Sequence, residues 1–271
     1  MTRKCGDISG EPARLLEFRN ITVIKDDRKV LDSISVSINV GECIAVLGPN
    51  GSGKSSFIKT ITREYYPVIQ DSDIVFRIQG LEVWDVFDLR SLLGIVSNDL
   101  QSTFARDMSG MEVILSGFFS SIGLYNRDVT PAMVEKAEEI LEFLEIGHLK
   151  NRKMTEMSSG EARKFLIGRA LIHNPKALIL DEPTNSLDMH ALHVFRKTLR
   201  RIAQSGTGII LVTHHLQDII PEITRVILVK NGKFICDGPK AEVLTEENIG
   251  KLFSIPASIR EECGYYYPVG D

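Results

Sequence analysis

The first pattern along the chain is strict alternation. Over residues 33–40 Ile34, Val36, Ile38 and Val40 share one side, and Ser33, Ser35, Ser37 and Asn39 share the other. A period of two predicts a strand with one buried face, as in an antiparallel sheet. Residues 15–24 predict a strand before it, with a charged turn over 25–29 between them. Gly41-Glu42 turns the chain, and Cys43-Ile44-Ala45-Val46-Leu47 is apolar throughout, as in a strand buried on both faces. Residues 72–86 predict further short strands bent at Gly80.

The period then changes. Residues 111–117 and 131–149 predict helices, the second with Thr130 as N-cap, Pro131 at its first position and Gly147 just past its end. Met133, Val134, Ala137, Ile140, Leu141 and Leu144 form one apolar stripe at helical spacing, which is read as packing. After Gly160, helical patterns at 162–173 and 189–203 alternate with strand patterns at 177–180 and 209–212. Such alternation predicts a largely parallel sheet covered by helices, with residues of about 100–160 a mostly helical insertion. Asn231-Gly232, between strand patterns at 226–230 and 233–236, predicts a hairpin.

Composition narrows the function classes. The 271 residues are 43% hydrophobic and 25% charged, enough apolar material for a substantial core. A net charge of −4 argues against a surface that coats nucleic acid, and no direct nucleic-acid partner is expected. No apolar run is long enough to span a membrane, and residues 1–14 read as a loose polar tail without the apolar region of a secretory signal. Cys5, Cys43, Cys236 and Cys263 lack metal-ligand spacing and are read as reduced thiols of a cytoplasmic protein.

The candidate chemistry follows the buried strand. Gly48-Pro49-Asn50-Gly51-Ser52-Gly53-Lys54-Ser55-Ser56 has the pattern G-x-x-x-x-G-K-[ST] and leads into a helix-capable segment. Backbone N–H groups of such a loop, capped by a helix N-terminus, form a concave site for phosphates. Lys54 is suited to the β- and γ-phosphates and Ser55 to Mg2+. Downstream, the apolar run Ala177-Leu178-Ile179-Leu180 ends in Asp181-Glu182. Carboxylates at the end of a buried parallel strand sit where an open α/β sheet binds its ligand. Asp181 is the expected Mg2+ partner, and Glu182 the group that orients or deprotonates a water. Val212-Thr213-His214-His215 ends the next apolar run, and a histidine there, His214 or His215, is placed to meet the γ-phosphate or that water.

With GPNGSGKSS at 48–56, MSSGEAR at 157–163, LILDEPTNSLD at 178–188 and VTHH at 212–215, the chain resembles the nucleotide-binding subunit of an ABC transporter. The resemblance covers about residues 15–240, an ATPase domain with the helical subdomain inserted at about 100–160, and leaves 241–271 as a C-terminal tail. It implies a P-loop NTPase core with an antiparallel β subdomain and an inserted helical subdomain, binding and hydrolysing ATP with Mg2+. It implies further that ATP closes a head-to-tail dimer, of two copies or of this chain and a similar ATPase. In that dimer Ser158, Ser159, Gly160 and Glu161 face the partner's phosphate loop, Asp188 lies in the segment crossing the interface, and His214 is the switch histidine. The implied partner is a membrane permease, which would hold this subunit at the cytoplasmic side of the membrane. The alternative is an ATPase of the same type that works on a non-membrane machine.

The sequence also departs from the family pattern. The usual LSGGQ reads Met157-Ser158-Ser159-Gly160-Glu161, which adds a side chain and a negative charge near the phosphates. The glutamine that couples to the permease falls at Asn98 or Gln101. The aromatic that stacks on adenine is expected near Ile24 or Lys25, and neither residue is aromatic. MSSGEAR and VSNDLQ resemble a molybdenum-transport-type subgroup, and AEVLTEENIGKLFSIP resembles the tails of metal-chelate importers.

Overall fold

The computed structural model describes residues 13–68, 73–97, 100, 103–104, 107–124 and 126–269. Its centre is a sheet in the order β5-β6-β7-β3-β8-β9, formed by β3 (Cys43–Leu47), β5 (Leu93–Val96), β6 (Ala177–Asp181), β7 (Gly208–Thr213), β8 (Arg225–Lys230) and β9 (Lys233–Pro239). All neighbours are parallel except the β8–β9 hairpin at one edge. The continuous apolar runs of β3, β6 and β7 are buried along their length, as strands covered on both faces must be.

Alternate residues of these strands feed different cores. Ala45, Leu47, Leu178, Leu180, Ile209 and Leu211 join a cluster with the helices, among them α5 (Ser159–Leu171) and α6 (Met189–Gln204). Ile44, Val46, Ile179, Ile210, Val212 and Ile227 join a second cluster, beneath a three-stranded antiparallel sheet of order β2-β1-β4. That sheet comprises β1 (Arg14–Lys25), β2 (Arg28–Asn39) and β4 (Val75–Ile78). Ile34, Val36 and Ile38 are buried as the alternation requires, while Val40 lies past the end of β2 and is only partly buried. The turn between β1 and β2 shrinks to Asp26-Asp27, both left-handed at φ 48° and 58°, a conformation that suits a two-residue hairpin.

Helix α1 (Lys54–Ile61) follows β3 directly. The segment after β4 departs from the expected strands. Beyond an isolated bridge from Ile78 to Leu81 it forms α2 (Val86–Leu92), because Asp85 accepts the Phe87 N–H and caps a helix there. The helical region holds α3 (Gly110–Ser116) and α4 (Pro131–Phe143), both packed on α5. Helix α4 stops well before Leu149. Glu145 turns left-handed at φ 57°, and the Ile146 N–H returns to the Leu141 carbonyl at 3.0 Å, which buries Ile146 against the core. Residues 240–269 fold as α7 (Lys240–Val243), α8 (Glu246–Phe253) and the hairpin β10 (Ser258–Glu262)–β11 (Tyr265–Val269). Their Val243, Leu244, Ile249, Leu252 and Tyr266 belong to the helix-side core, so this stretch is part of the folded body. Among the described residues, no helix is long and apolar enough to cross a membrane.

Candidate functional site

Strand register brings the motifs together. Leu47 at the end of β3 pairs with Thr213 of β7, and Asp181 at the end of β6 pairs with Val212. The phosphate loop, the acidic pair and the histidine pair therefore emerge side by side from the C-terminal edge of the sheet, where such folds bind ligands.

The loop between β3 and α1 is held by close backbone contacts. A Cβ on Gly48 would lie 2.2 Å from the Val229 carbonyl oxygen, and one on Gly53, at φ 110°, would lie 2.7 Å from that of Val30. The Gly232 N–H of the β8–β9 turn donates to the Ser52 carbonyl at 2.8 Å, and the Gly232 carbonyl accepts from Asp32 of β2 at 2.9 Å. The hairpin legible as Asn231-Gly232 is thus a brace for the phosphate loop, a role its sequence does not announce.

Lys54, 4% exposed, donates to the carbonyls of Gly48 at 2.8 Å and Pro49 at 3.0 Å, and its Nζ lies 3.4 Å from Glu182 Oε1. His214 Nδ1 lies 3.2 Å from the same oxygen. Glu182 takes a left-handed φ of 47°, and its Oε2 accepts from Asn185 Nδ2 at 2.9 Å. Burial pushes the Glu182 carboxyl up, but the hydrogen bond from Asn185 and the charges of Lys54 and His214 outweigh it and hold it below the ordinary glutamate value. Asn185 was not singled out by sequence. Neither was Asp218, whose buried Oδ2 accepts from Thr184 at 2.7 Å and Thr213 at 2.5 Å, joining the loop after β6 to the end of β7. An isolated aspartate in a short 3-10 turn, Leu216–Asp218, carries no spacing that could have flagged it.

Asn50, Gly51, Gly53, Lys54, Ser55 and Ser56 line a cleft of about 840 Å³ together with Asp181 and Glu182. Two hard oxygen donors, the Ser55 hydroxyl and the Asp181 carboxylate, thus share a cavity with the phosphate-binding backbone. That donor set fits Mg2+, which uses few protein ligands and keeps several waters. Lys25, Arg28, Lys29, Lys59 and Tyr65 line the same cleft.

The signature residues lie elsewhere in the same chain. Ser158 caps α5, Glu161 returns its carboxylate to the Ser158 N–H at 2.8 Å, and Ser159 Oγ donates to the Ser186 carbonyl at 3.3 Å. Ser158, Gly160 and Glu161 line a separate cleft of about 250 Å³ with Lys164, His190 and Phe195. Glu161 Oε1 is also 3.7 Å from Arg152, and the Ser158 backbone N–H is the main cause holding its carboxyl below the ordinary value. Asp188 caps α6, accepting from the Ala191 N–H at 2.8 Å. Asn98 and Gln101 lie outside the described residues.

A glycine loop and lysine between a buried strand and a helix, with adjacent acids closing the neighbouring strand, define a P-loop nucleoside triphosphatase. Residues 31–185 match the model of the ABC transporter family, and the chain belongs to that family as an ATP-binding, ATP-hydrolysing subunit. It is 31% identical over 250 residues to the uncharacterized ABC transporter ATP-binding protein YlmA of Bacillus subtilis, covering 90% of this chain and 93% of that one. It is 27% identical over 261 residues to the hemin import ATP-binding protein HmuV of Bradyrhizobium diazoefficiens, covering 93% of each. The ADP conformation of MJ1267, an ATP-binding cassette of an ABC transporter, superposes with a TM-score of 0.75 at 27% identity, over 89% of this chain and 98% of that one.

Proposed function

We propose that Glu182 is the group that activates water for ATP hydrolysis in this subunit and that hydrolysis is coupled to the opening of a head-to-tail dimer. The observation that carries the reading is the convergence of Lys54 and His214 on one carboxylate oxygen of Glu182, at the ends of three adjacent strands. The loop from Gly48 to Ser56 binds the phosphates through its backbone, and Lys54 exchanges its carbonyl partners for the β- and γ-phosphates. Ser55 and Asp181 would hold Mg2+, which would supply positive charge against the phosphates. Glu182, kept ionised, accepts a proton from the attacking water, and His214 orients that water or the γ-phosphate.

Ser158 and the N-terminus of α5 complete the site of a second subunit, with Ser159, Gly160 and Glu161 beside them and Asp188 at the crossing. Within one chain these residues stand apart from the phosphate cleft, which accords with their acting on the partner's nucleotide. Asn98 or Gln101 passes the change to a membrane permease, which holds the subunit at the membrane. Glu182→Gln retains shape but loses the base, so ATP still binds and the closed dimer accumulates. Solution mass should about double with ATP, and Ser158→Arg in the same background should abolish the doubling. Hydrolysis by Glu182→Gln at the parent rate would remove Glu182 from its role, and a monomer at saturating ATP would sink the trans arrangement.

A further inference from the structure

Past the C-terminal end of α1, away from the glycine loop at its start, the phosphate cleft is lined by a residue that none of the motifs uses. The β1–β2 turn is Asp26-Asp27, neither of them aromatic, and the Lys25 and Arg28 that flank it line the cleft. What stands there instead comes from the end of α1. Arg63 turns left-handed at φ 62°, and the N–H groups of Glu64 and Tyr65 both return to the Lys59 carbonyl, at 2.9 and 3.0 Å. Three residues on, the Val68 N–H donates to the Thr22 carbonyl of β1 at 2.8 Å. The loop is therefore pinned to the helix behind it and to the strand beside it. Tyr65 is half-buried against the apolar cluster under the antiparallel sheet, and it is the one aromatic among the described residues lining the cleft. The ammonium groups of Lys25 and Lys59 lie 5.4 and 5.6 Å from its ring centre.

We propose that Tyr65 is the residue on which the base of the bound nucleotide stacks, with Lys25 and Lys59 fixing its ring. The inference rests on the nucleotide reading of the cleft. The phosphates are anchored at the glycine loop, so the base must lie toward the rim, and an aromatic ring held at two points offers a flat apolar surface there. Two cations over the ring are attracted to it and limit its rotation. Stacking uses the π face that every base shares, so Tyr65 should contribute equally to adenine and guanine nucleotides. The neighbouring Tyr66 provides a control. It is 66% exposed, its ring meets Phe76 at 6.5 Å, and it does not line the cleft.

The test measures affinity of the full chain for ATP, GTP and inorganic tripolyphosphate. Tyr65→Leu keeps apolar packing and removes the ring; it should weaken ATP and GTP alike by about tenfold and leave tripolyphosphate unchanged. Tyr65→Phe should stay within about twofold of the parent for all three ligands, as should Tyr66→Ala. ATP affinity unchanged in Tyr65→Leu would overturn the proposal. An equal loss for tripolyphosphate would also overturn it, since Tyr65 would then be shaping the phosphate loop. A parent chain that bound neither ATP nor tripolyphosphate would overturn the nucleotide reading itself.

Discussion

Glu182 has competing demands placed on it by its surroundings. It is partly buried, which favours the neutral acid, yet a base must be ionised to accept a proton. Asn185, Lys54 and His214 settle the competition, holding the carboxyl below the ordinary value against the effect of burial. Asn185→Ala removes a hydrogen bond that favours the ionised form. The acid limb of the ATPase pH profile should therefore move to higher pH, with the loss greatest on the acid side and smallest toward alkaline pH. Stability carries the same sign. A depressed carboxyl stabilises the fold above its unfolded pKa and loses that contribution as pH falls through the folded pKa, so the variant and parent should converge in acid. An acid limb that stayed in place would show that Asn185 does not tune Glu182. The adjacent acids after an apolar run were legible because the motif is contiguous. Asp218 was not, because its bonds to Thr184 and Thr213 exist only once the loop after β6 lies against the end of β7, and Asn185 was not, because its bond to Glu182 depends on the left-handed turn that Glu182 takes.

At the scale of elements, the start of α5 shows how a departure from the family signature is absorbed. Glu161 supplies the N3 carboxylate of a capping box with Ser158, which satisfies backbone donors and favours negative charge at the helix N-terminus. In the proposed head-to-tail dimer the same charge would stand close to the partner's γ-phosphate. Glu161→Gln keeps a side-chain oxygen for the Ser158 N–H and removes the charge, so melting should change little, by about 1 kcal/mol at most. In the Glu182→Gln background it should lower the ATP concentration at which the dimer forms, read by light scattering across an ATP titration. An unchanged or higher midpoint would show that the charge at 161 does not oppose closure. Elements with strong periodicity, such as β2 and α6, were legible to within a few residues. Helix α2 was not, because Val86 and Phe87 suggest a strand and only the Asp85 cap decides otherwise. The end of α4 depends on a left-handed Glu145, a residue type that gives no sign of it.

The whole molecule is two apolar cores on either face of one sheet, and the sheet order explains why its assembly was only partly legible. Alternating strands and helices implied parallel pairing, but nothing local says that β3 sits between β7 and β8, or that residues 240–269 return to the helix-side core. One long-range tie makes that arrangement specific. Arg225, at the start of β8, donates to both oxygens of Asp237 on β9 at 2.7 Å, to Glu42 at 3.0 Å and to the Ser37 carbonyl on β2 at 2.7 Å. It joins the antiparallel sheet to the parallel one, and the hydrogen bond to Asp237 is the main cause of its raised pKa. With its side chain 25% exposed, it is screened less than a surface ion pair. Arg225→Leu leaves Asp237 and Glu42 without their counter-charge and should cost about 2 kcal/mol, lowering the melting temperature by roughly 5 °C. Because Arg225 pairs with Ile44, at the end of β3 away from the phosphate loop, ATP affinity should change by less than about twofold. Adding Asp237→Asn to Arg225→Leu should restore part of the lost stability, since it removes a carboxylate left without its partner. An undiminished melting temperature in Arg225→Leu would mean that the two sheets are held together by their apolar faces alone.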